Sequence, residues 1–365
     1  MPSRGRTEIT LIVSVAAVVT WTAIVIVVFA RQPVLGGDFM QFYTLGTLAR
    51  TGDWAAQYDW PAFHALQASL VPGSNPYYYA PAYPPLTSIL YLPLALLPFQ
   101  AAFATWALAS AALYAWLMRL AARACAVTAS RNVVVGALLF PPFIALITSG
   151  QSTLWPLVGF VAGWWALERG QPLLAGVLFA LVSLKPHFGL ALALVPLLAG
   201  TWRVVLGALL GLAVIALSTY WVCGADAIAA YWSTTLGILA DPAALDPLDA
   251  RHTHGLRAAL AAHVSPRAAL AAWALVSAVV AWMASRVWRS RESWSTRVAA
   301  LLVATLLISP HLLVYDGVLL APAAAWLADT AVRERKWTFW RPWPCWRFAS
   351  RSRPRGCLTC RSRCH

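Results

Sequence analysis

The chain has 365 residues, 60% of them hydrophobic and only 11% charged, with a formal net charge of +14. Soluble domains are about half apolar and about a quarter charged, so a water-soluble globular fold is excluded and a polytopic, all-α membrane protein is expected. The positive charge is not a nucleic-acid signal: residues 333–365 hold ten Arg or Lys against one acid, so nine of the fourteen net charges sit in that tail and five elsewhere.

In chain order, Ile9 to Ala30 is an uncharged run of about the length that crosses a bilayer core. Arg4 and Arg6 before it place the N-terminus in the cytoplasm. A first outer loop, 31–85, opens with Gly37-Asp38-Phe39. Within it, Phe39 to Ala49 and Trp54 to Leu70 carry apolar residues at near-helical spacing, which predicts two amphipathic helices in the interface. Pro72 to Pro85, with Tyr77, Tyr78, Tyr79 and Tyr83, has the aromatic content of the headgroup level and suits a wall or lid. Leu86 to Leu97 is too short to span and is bracketed by Pro84-Pro85 and Pro98, which predicts a re-entrant or interfacial segment. Further spans are expected near 100–120, 132–148, 152–168, 172–185, 187–200, 203–222, 267–288, 297–309 and 313–330, about ten with the first. The two short runs between 172 and 200 must either cross a locally thin region or continue as broken helices around a cavity.

With this count, Arg119, Arg123, Arg131, Glu168-Arg169, Trp202-Arg203, the Arg286 to Arg297 stretch and the tail all fall on one side, the cytoplasm by the positive-inside rule. Both long loops, 31–85 and 223–266, then face outward. So do four polar clusters, each at the end of an apolar run: Asp38; Gly150-Gln151-Ser152; Leu184-Lys185-Pro186-His187; and Ser309-Pro310-His311 through Tyr315-Asp316. Ionisable groups in such places are costly to keep and mark a working site.

Read together, Gly-Asp-Phe after the first span, Tyr83-Pro84-Pro85, Gly150-Gln151, Leu184-Lys185-Pro186 and Ser309-Pro310-His311-x-x-x-Tyr315-Asp316 resemble glycosyltransferase family 87. The resemblance implies a helical bundle of the GT-C type, an acidic residue of the first outer loop as catalytic base, and a polyprenyl-phosphate-linked sugar donor. It also implies mannose as the sugar, a lipid or cell-envelope glycan as acceptor, and a multi-pass protein of the inner (plasma) membrane with its site on the outer side. The chain departs from the family at Arg251-His252-Thr253-His254-Gly255, where an Asn-x-Ser-like stretch is usual, and in its tail.

Sugar transfer from a phosphate to a hydroxyl needs a base for the hydroxyl proton and cationic or hydrogen-bonding groups for the departing phosphate. Asp38 can be that base; its structural alternative is a helix N-cap for the segment from Phe39. Lys185 is the best phosphate partner, its alternative being snorkelling to the headgroups. His311 and His187 can hydrogen-bond phosphate or acceptor, and Tyr83 belongs to the substrate wall. Gln151 and Asp316 are expected to support these groups: an amide at a helix break often caps backbone, and Asp316 can orient His311 or Lys185. A lipid or solute transporter using the same pocket is the alternative reading, in which Lys185 and Asp316 form a coupling pair. There is no internal repeat to support it.

No metal or other cofactor is expected. The 223–266 loop mixes Asp226, Asp241, Asp246, Asp249, His252 and His254, which can bind a divalent cation, but Asp241-Pro242 and Asp246-Pro247 read as turns and no metal-motif spacing appears. Residues 1–332 form the transferase domain. The 333–365 tail, with Cys345, Cys357, Cys360 and Cys364, matches neither a span nor a folded domain, and reads as disordered polybasic sequence on anionic lipid or as translation of a shifted frame.

Overall fold

The computed structural model describes residues 36–73, 82–125, 130–240 and 254–333. The expected first span, Tyr77 to Tyr79, Asp241 to Thr253 and the tail beyond Arg333 lie outside the described residues. Every regular element among the described residues is helical.

Asp38 precedes α1 (Phe39–Thr51), which ends on Gly52 in the left-handed region. A single turn at Ala56–Tyr58 leads to α2 (Trp60–Leu70), started by an Asp59 carboxylate that accepts from the Ala62 amide. The two helices of the first loop differ. On α2 only Phe63 and Gln67 are buried, as expected for a surface helix, whereas α1 is buried on nearly every side, from Phe39 through Gly46 and again at Leu48 and Ala49. It is therefore not an amphipathic interfacial helix. The short 3-10 turns Pro85–Tyr91 and Leu94–Leu96 cover it on one flank, and α3 (Phe99–Ala124) covers its start. Phe39 packs against Phe99, Phe103 and Trp106 of α3. The prolines of the 84–98 stretch account for its irregular path, since each removes a backbone donor and fixes φ.

The span expected over 132–148 is bent by 52°. α4 (Ser130–Leu138) stops before Pro141-Pro142, and α5 (Pro141–Ser149) starts afresh on them. α6 (Leu154–Glu168) follows, then α7 (Pro172–Phe179), continued by a 3-10 stretch to Leu184, and after a break at Lys185 the helix resumes as α8 (Gly189–Leu198). Of the two paths open to residues 172–200, the broken one is present.

α9 (Trp202–Ala240) is two helices in series. Gly224 adopts φ 83° and ψ 168° between them. The first arm covers the expected 203–222 span. The second carries helix 16 residues into the region expected as loop, because Ala225, Ala227, Ala229 and Ala230 favour helix once Gly224 has turned the chain. Its Tyr231 ring lies 5.9 Å from that of Tyr58, over the first loop. The backbones of α7 and α9 nearly touch: a Cβ on Gly207 would lie 2.0 Å from the Leu173 carbonyl oxygen, and one on Gly176 would lie 2.1 Å from that of Val204. Small residues at such crossings let apolar helices pack in lipid, where burial alone supplies no driving force.

The chain closes with α10 (Leu256–Ala261), α11 (Pro266–Arg289), α12 (Trp294–Ile308) and α13 (Ala321–Arg333). The last expected span begins as a 3-10 stretch, Val314–Leu320, so it is helical but not continuously α. Among the described residues three helices are long and apolar enough to cross a membrane: Phe99–Ala124, Trp202–Ile238 and Pro266–Arg289. The bent α4–α5 pair makes a fourth, and Pro172–Leu184, Pro186–Leu198, Trp294–Ile308 and Val314–Leu327 are shorter apolar helices. Their outward faces carry large apolar side chains, with Trp221 81% and Leu108 74% exposed, as suits a lipid-facing surface.

Three of these helices share one arrangement. α6 begins just after Gly150–Thr153, α8 just after Lys185–His187, and α12 ends just before Ser309–His311. Their opposite ends meet basic loops at Arg169, at Leu198–Arg203 and at Arg289–Arg297. The loops touch there: Arg289 donates to the carbonyls of Leu198 and Ala199, and Trp288 to the Thr201 hydroxyl. The polar clusters and the basic loops thus occupy opposite ends of the bundle.

Candidate active site

At the polar end, α5 ends on Gly150 with φ +81°. A Cβ there would lie 2.4 Å from the Phe39 Cβ and 2.7 Å from its amide nitrogen, so only glycine lets the loop come down onto the start of α1. The next residue exploits that approach. Gln151, buried, donates from Nε2 to Asp38 Oδ2 at 2.5 Å, while its Oε1 accepts from the Tyr83 hydroxyl at 3.2 Å. The Ser152 amide also donates to Oε1, at 3.3 Å, and an ionised carboxylate only accepts, so the amide nitrogen must face Asp38.

Asp38 stands at the N-cap position, but its side chain makes no capping hydrogen bond. The cap reading is therefore excluded, and the half-buried carboxylate is held by Gln151 instead. Tyr83 is fixed in turn: its ring packs on Phe42 at 5.0 Å, and its carbonyl accepts from the Tyr58 hydroxyl at 2.7 Å. Burial, with Tyr231 nearby, holds the Tyr58 hydroxyl well above the ordinary tyrosine range, so it remains a donor.

Two residues on, a second cluster begins. Lys185 lies at the break between two short apolar helices, 3% exposed, with Nζ 2.9 Å from Asp316 Oδ1 and 2.8 Å from Thr153 Oγ1. Thr153 donates to the same Oδ1 at 2.7 Å, and Asp316 Oδ2 accepts from the Leu313 amide at 3.0 Å. Lys185 does not snorkel: its ammonium is turned inward, 4.8 Å from the Tyr315 ring centre and 5.8 Å from that of Phe188. Asp316 orients Lys185, one of the two partners expected for it.

The imidazoles border this cluster. His187 and His311 lie 5.9 Å apart, nearly perpendicular, and His187 Nε2 is buried with no hydrogen-bond partner among the described residues. The Ser309 hydroxyl donates to the His311 carbonyl at 2.5 Å, fixing the turn after α12. The His254 amide donates to Leu312 O at 2.6 Å, which ties the segment before α10 to the turn just after His311. Among the described residues no three His, Cys, Asp or Glu side chains gather as a metal site.

All seven expected site residues thus fall at one end of the bundle in two clusters, Asp38 with Gln151 and Tyr83, and Lys185 with Asp316, His187 and His311. Gly150–Thr153 joins them. Thr153 was not among the expected site residues. The available signal was a hydroxyl placed directly after Gln151-Ser152, at a break in apolar sequence where a buried polar group must find a partner.

The arrangement holds a carboxylate at one end of the Gly150–Thr153 segment and a buried cation with two imidazoles at the other, groups whose chemistry is compatible with moving a group from a phosphate to a hydroxyl. The family model for glycosyltransferase family 87 matches residues 82–310, which includes Tyr83, Gln151, Lys185 and His187 and stops just short of His311 and Asp316. No curated protein and no solved structure matches the chain. The match covers well over half of the 365 residues, and the chain belongs to glycosyltransferase family 87, the membrane-embedded transferase that its apolar helices and polar end lead to.

Proposed function

We propose that the chain transfers a hexose, mannose or a close relative, from a polyprenyl-phosphate donor to a lipid or cell-envelope glycan acceptor at the outer side of the plasma membrane. The step is a single inverting displacement. The acceptor hydroxyl gives its proton to Asp38 as its oxygen bonds to the anomeric carbon; the bond from that carbon to the phosphate oxygen breaks, and polyprenyl phosphate leaves with the electron pair. Lys185, His311 and His187 meet the charge that grows on the phosphate, and Tyr83 and Gln151 line the acceptor side.

One observation carries this reading: the loop Gly150–Thr153 is bonded to Asp38 through Gln151 and to Lys185 through Thr153. Two residue steps span at most about 7 Å, so the proposed base and cation are held by a single short segment. Outward orientation is supported by α6, α8 and α12, each running from this end to a basic loop, because basic loops stay in the cytoplasm.

The Lys185–Asp316 pair also fits a transporter, in which the two would be a coupling pair. Membership of a transferase family favours transfer, with the pair serving to aim Lys185. Membranes supplied with radiolabelled polyprenyl-phosphate mannose separate the two: lipid- or glycan-bound label supports transfer, and label carried across without a covalent product supports transport. Asp38→Asn is expected to abolish product in a protein that still folds. Full activity in that variant removes Asp38 as the base.

A further inference from the structure

Thr153 is completely buried, and its hydroxyl bonds in two directions at once, donating to Asp316 Oδ1 and accepting from Lys185 Nζ. Asp316 is satisfied on both oxygens, by Lys185 and Thr153 on one and by the Leu313 amide on the other. A lysine ammonium is a compact charge on a flexible stem with three rotatable donors and no heading of its own. Asp316 alone would hold it through one oxygen and leave it free to swing about that contact. A second, neutral acceptor fixes the direction. The hydroxyl is also part of what makes a buried pair tolerable, because charges taken out of water need further hydrogen bonds beyond their mutual attraction.

Thr153 also lies two residues from Gln151, whose amide holds Asp38. We infer that Thr153 is the positioning residue of this site: its hydroxyl aims the Lys185 ammonium and, through the two-residue link to Gln151, sets that cation in register with the Asp38 carboxylate. The catalytic half of this inference rests on the proposed transfer reaction. The hold on Lys185 does not.

The sequence makes the test clean, because it contains only two lysines, Lys185 and Lys336. Full-length protein labelled with 15N-lysine and carrying Lys336→Arg reports Lys185 alone. The unaltered site should give one sharp ammonium resonance, protected from exchange. Thr153→Val should raise its exchange rate about tenfold or more as the ammonium loses its second anchor, and Thr153→Ser, which keeps the hydroxyl, should leave it protected.

In the transfer assay, Thr153→Val should lower kcat by about ten- to a hundredfold while donor KM changes by less than about threefold, since the hydroxyl serves the geometry of reaction more than binding. Thr153→Ser should recover most of that loss, a rescue that a purely space-filling role would not produce. An unchanged resonance in Thr153→Val overturns the inference whatever the activity. A lost resonance with full kcat overturns the link to Asp38. If Thr153→Val does not fold, Thr153→Ser still decides: loss of the protected signal there overturns the hold on Lys185. A parent protein that transfers no sugar overturns the transfer reading, and the resonance still judges whether Thr153 anchors the ammonium.

Discussion

Gln151 is bonded on both ends of its amide, and the two bonds differ in kind. Nε2 meets a carboxylate, whereas Oε1 meets a neutral hydroxyl. Hydrogen bonds to charged groups contribute about 1.5–3 kcal/mol and neutral ones about 0.5–1.5 kcal/mol. If Asp38 is the base, the losses should be graded. Gln151→Leu, close in size but without the amide, should lower the transfer rate by about ten- to a hundredfold. Tyr83→Phe removes one of two neutral donors to Oε1, the Ser152 amide being the other, and should cost about tenfold or less. Initial rates in membranes, with thermal unfolding in detergent as the control for folding, check the order; Tyr83→Phe falling below Gln151→Leu would contradict it. At this scale the sequence was legible wherever a polar residue interrupted apolar sequence, because such a residue is too costly to be idle. Lys185 was one of two partners expected for Asp316, but the partner of Asp38 could not be read. By type Asp38 suits an N-cap as well as a base, and only the fold shows that its carboxylate makes no capping bond and meets Gln151, 113 positions away.

The helices were legible to the extent that their signals are local. Proline marked the irregular 84–98 stretch, and the apolar runs gave α3, α11 and the first arm of α9 within a few residues, whereas the single span expected over 132–148 is broken at Pro141-Pro142. Two features depend on contacts across the fold and left no such mark. α1 carries a helical pattern that reads as amphipathic, yet the 85–97 segment and α3 bury its polar flank too, so Gln41 and Thr44 are as enclosed as Phe39. The other is the close crossing of α7 and α9, where glycine is a packing requirement. A methyl group on Gly207 has no room against Leu173, while Gly237, on the second arm of α9, has nothing within 4 Å of where a Cβ would sit. Alanine favours helix over glycine by up to about 1 kcal/mol, so one substitution should act with opposite sign at the two sites. Gly237→Ala should raise the unfolding temperature slightly or leave it unchanged, and Gly207→Ala should lower it clearly. Equal shifts would mean that the two helices do not cross this tightly.

For the molecule as a whole, depth in the membrane decides how the proposed reaction meets its substrates. α6 and α12 have 15 residues each, about 22 Å at 1.5 Å per residue, against a hydrocarbon core of about 30 Å. If the basic loops lie at the cytoplasmic surface, as proposed, the polar end stops short of the outer one. α1 points the same way: Phe39 packs against Trp106, two helical turns into α3, while Arg50 at its far end donates to Ala95, just before α3 begins. On that placement α1 climbs from the polar clusters toward the outer surface, and the proposed site lies recessed at its foot. A lipid-borne phosphate and a membrane-bound acceptor can enter such a recess from the side, whereas a soluble donor would have to descend into it. The topology that makes the recess face outward can be measured directly. With the six native cysteines replaced by serine, single cysteines at the exposed positions Asp53 and His254 should react with an impermeant maleimide added outside intact cells, and those at Arg169 and Arg291 only after the inner face is opened. Positions 53 and 291 labelling from the same side would break the link between the basic loops and the cytoplasm, and with it the placement of Asp38 and Lys185 at an outward-facing site.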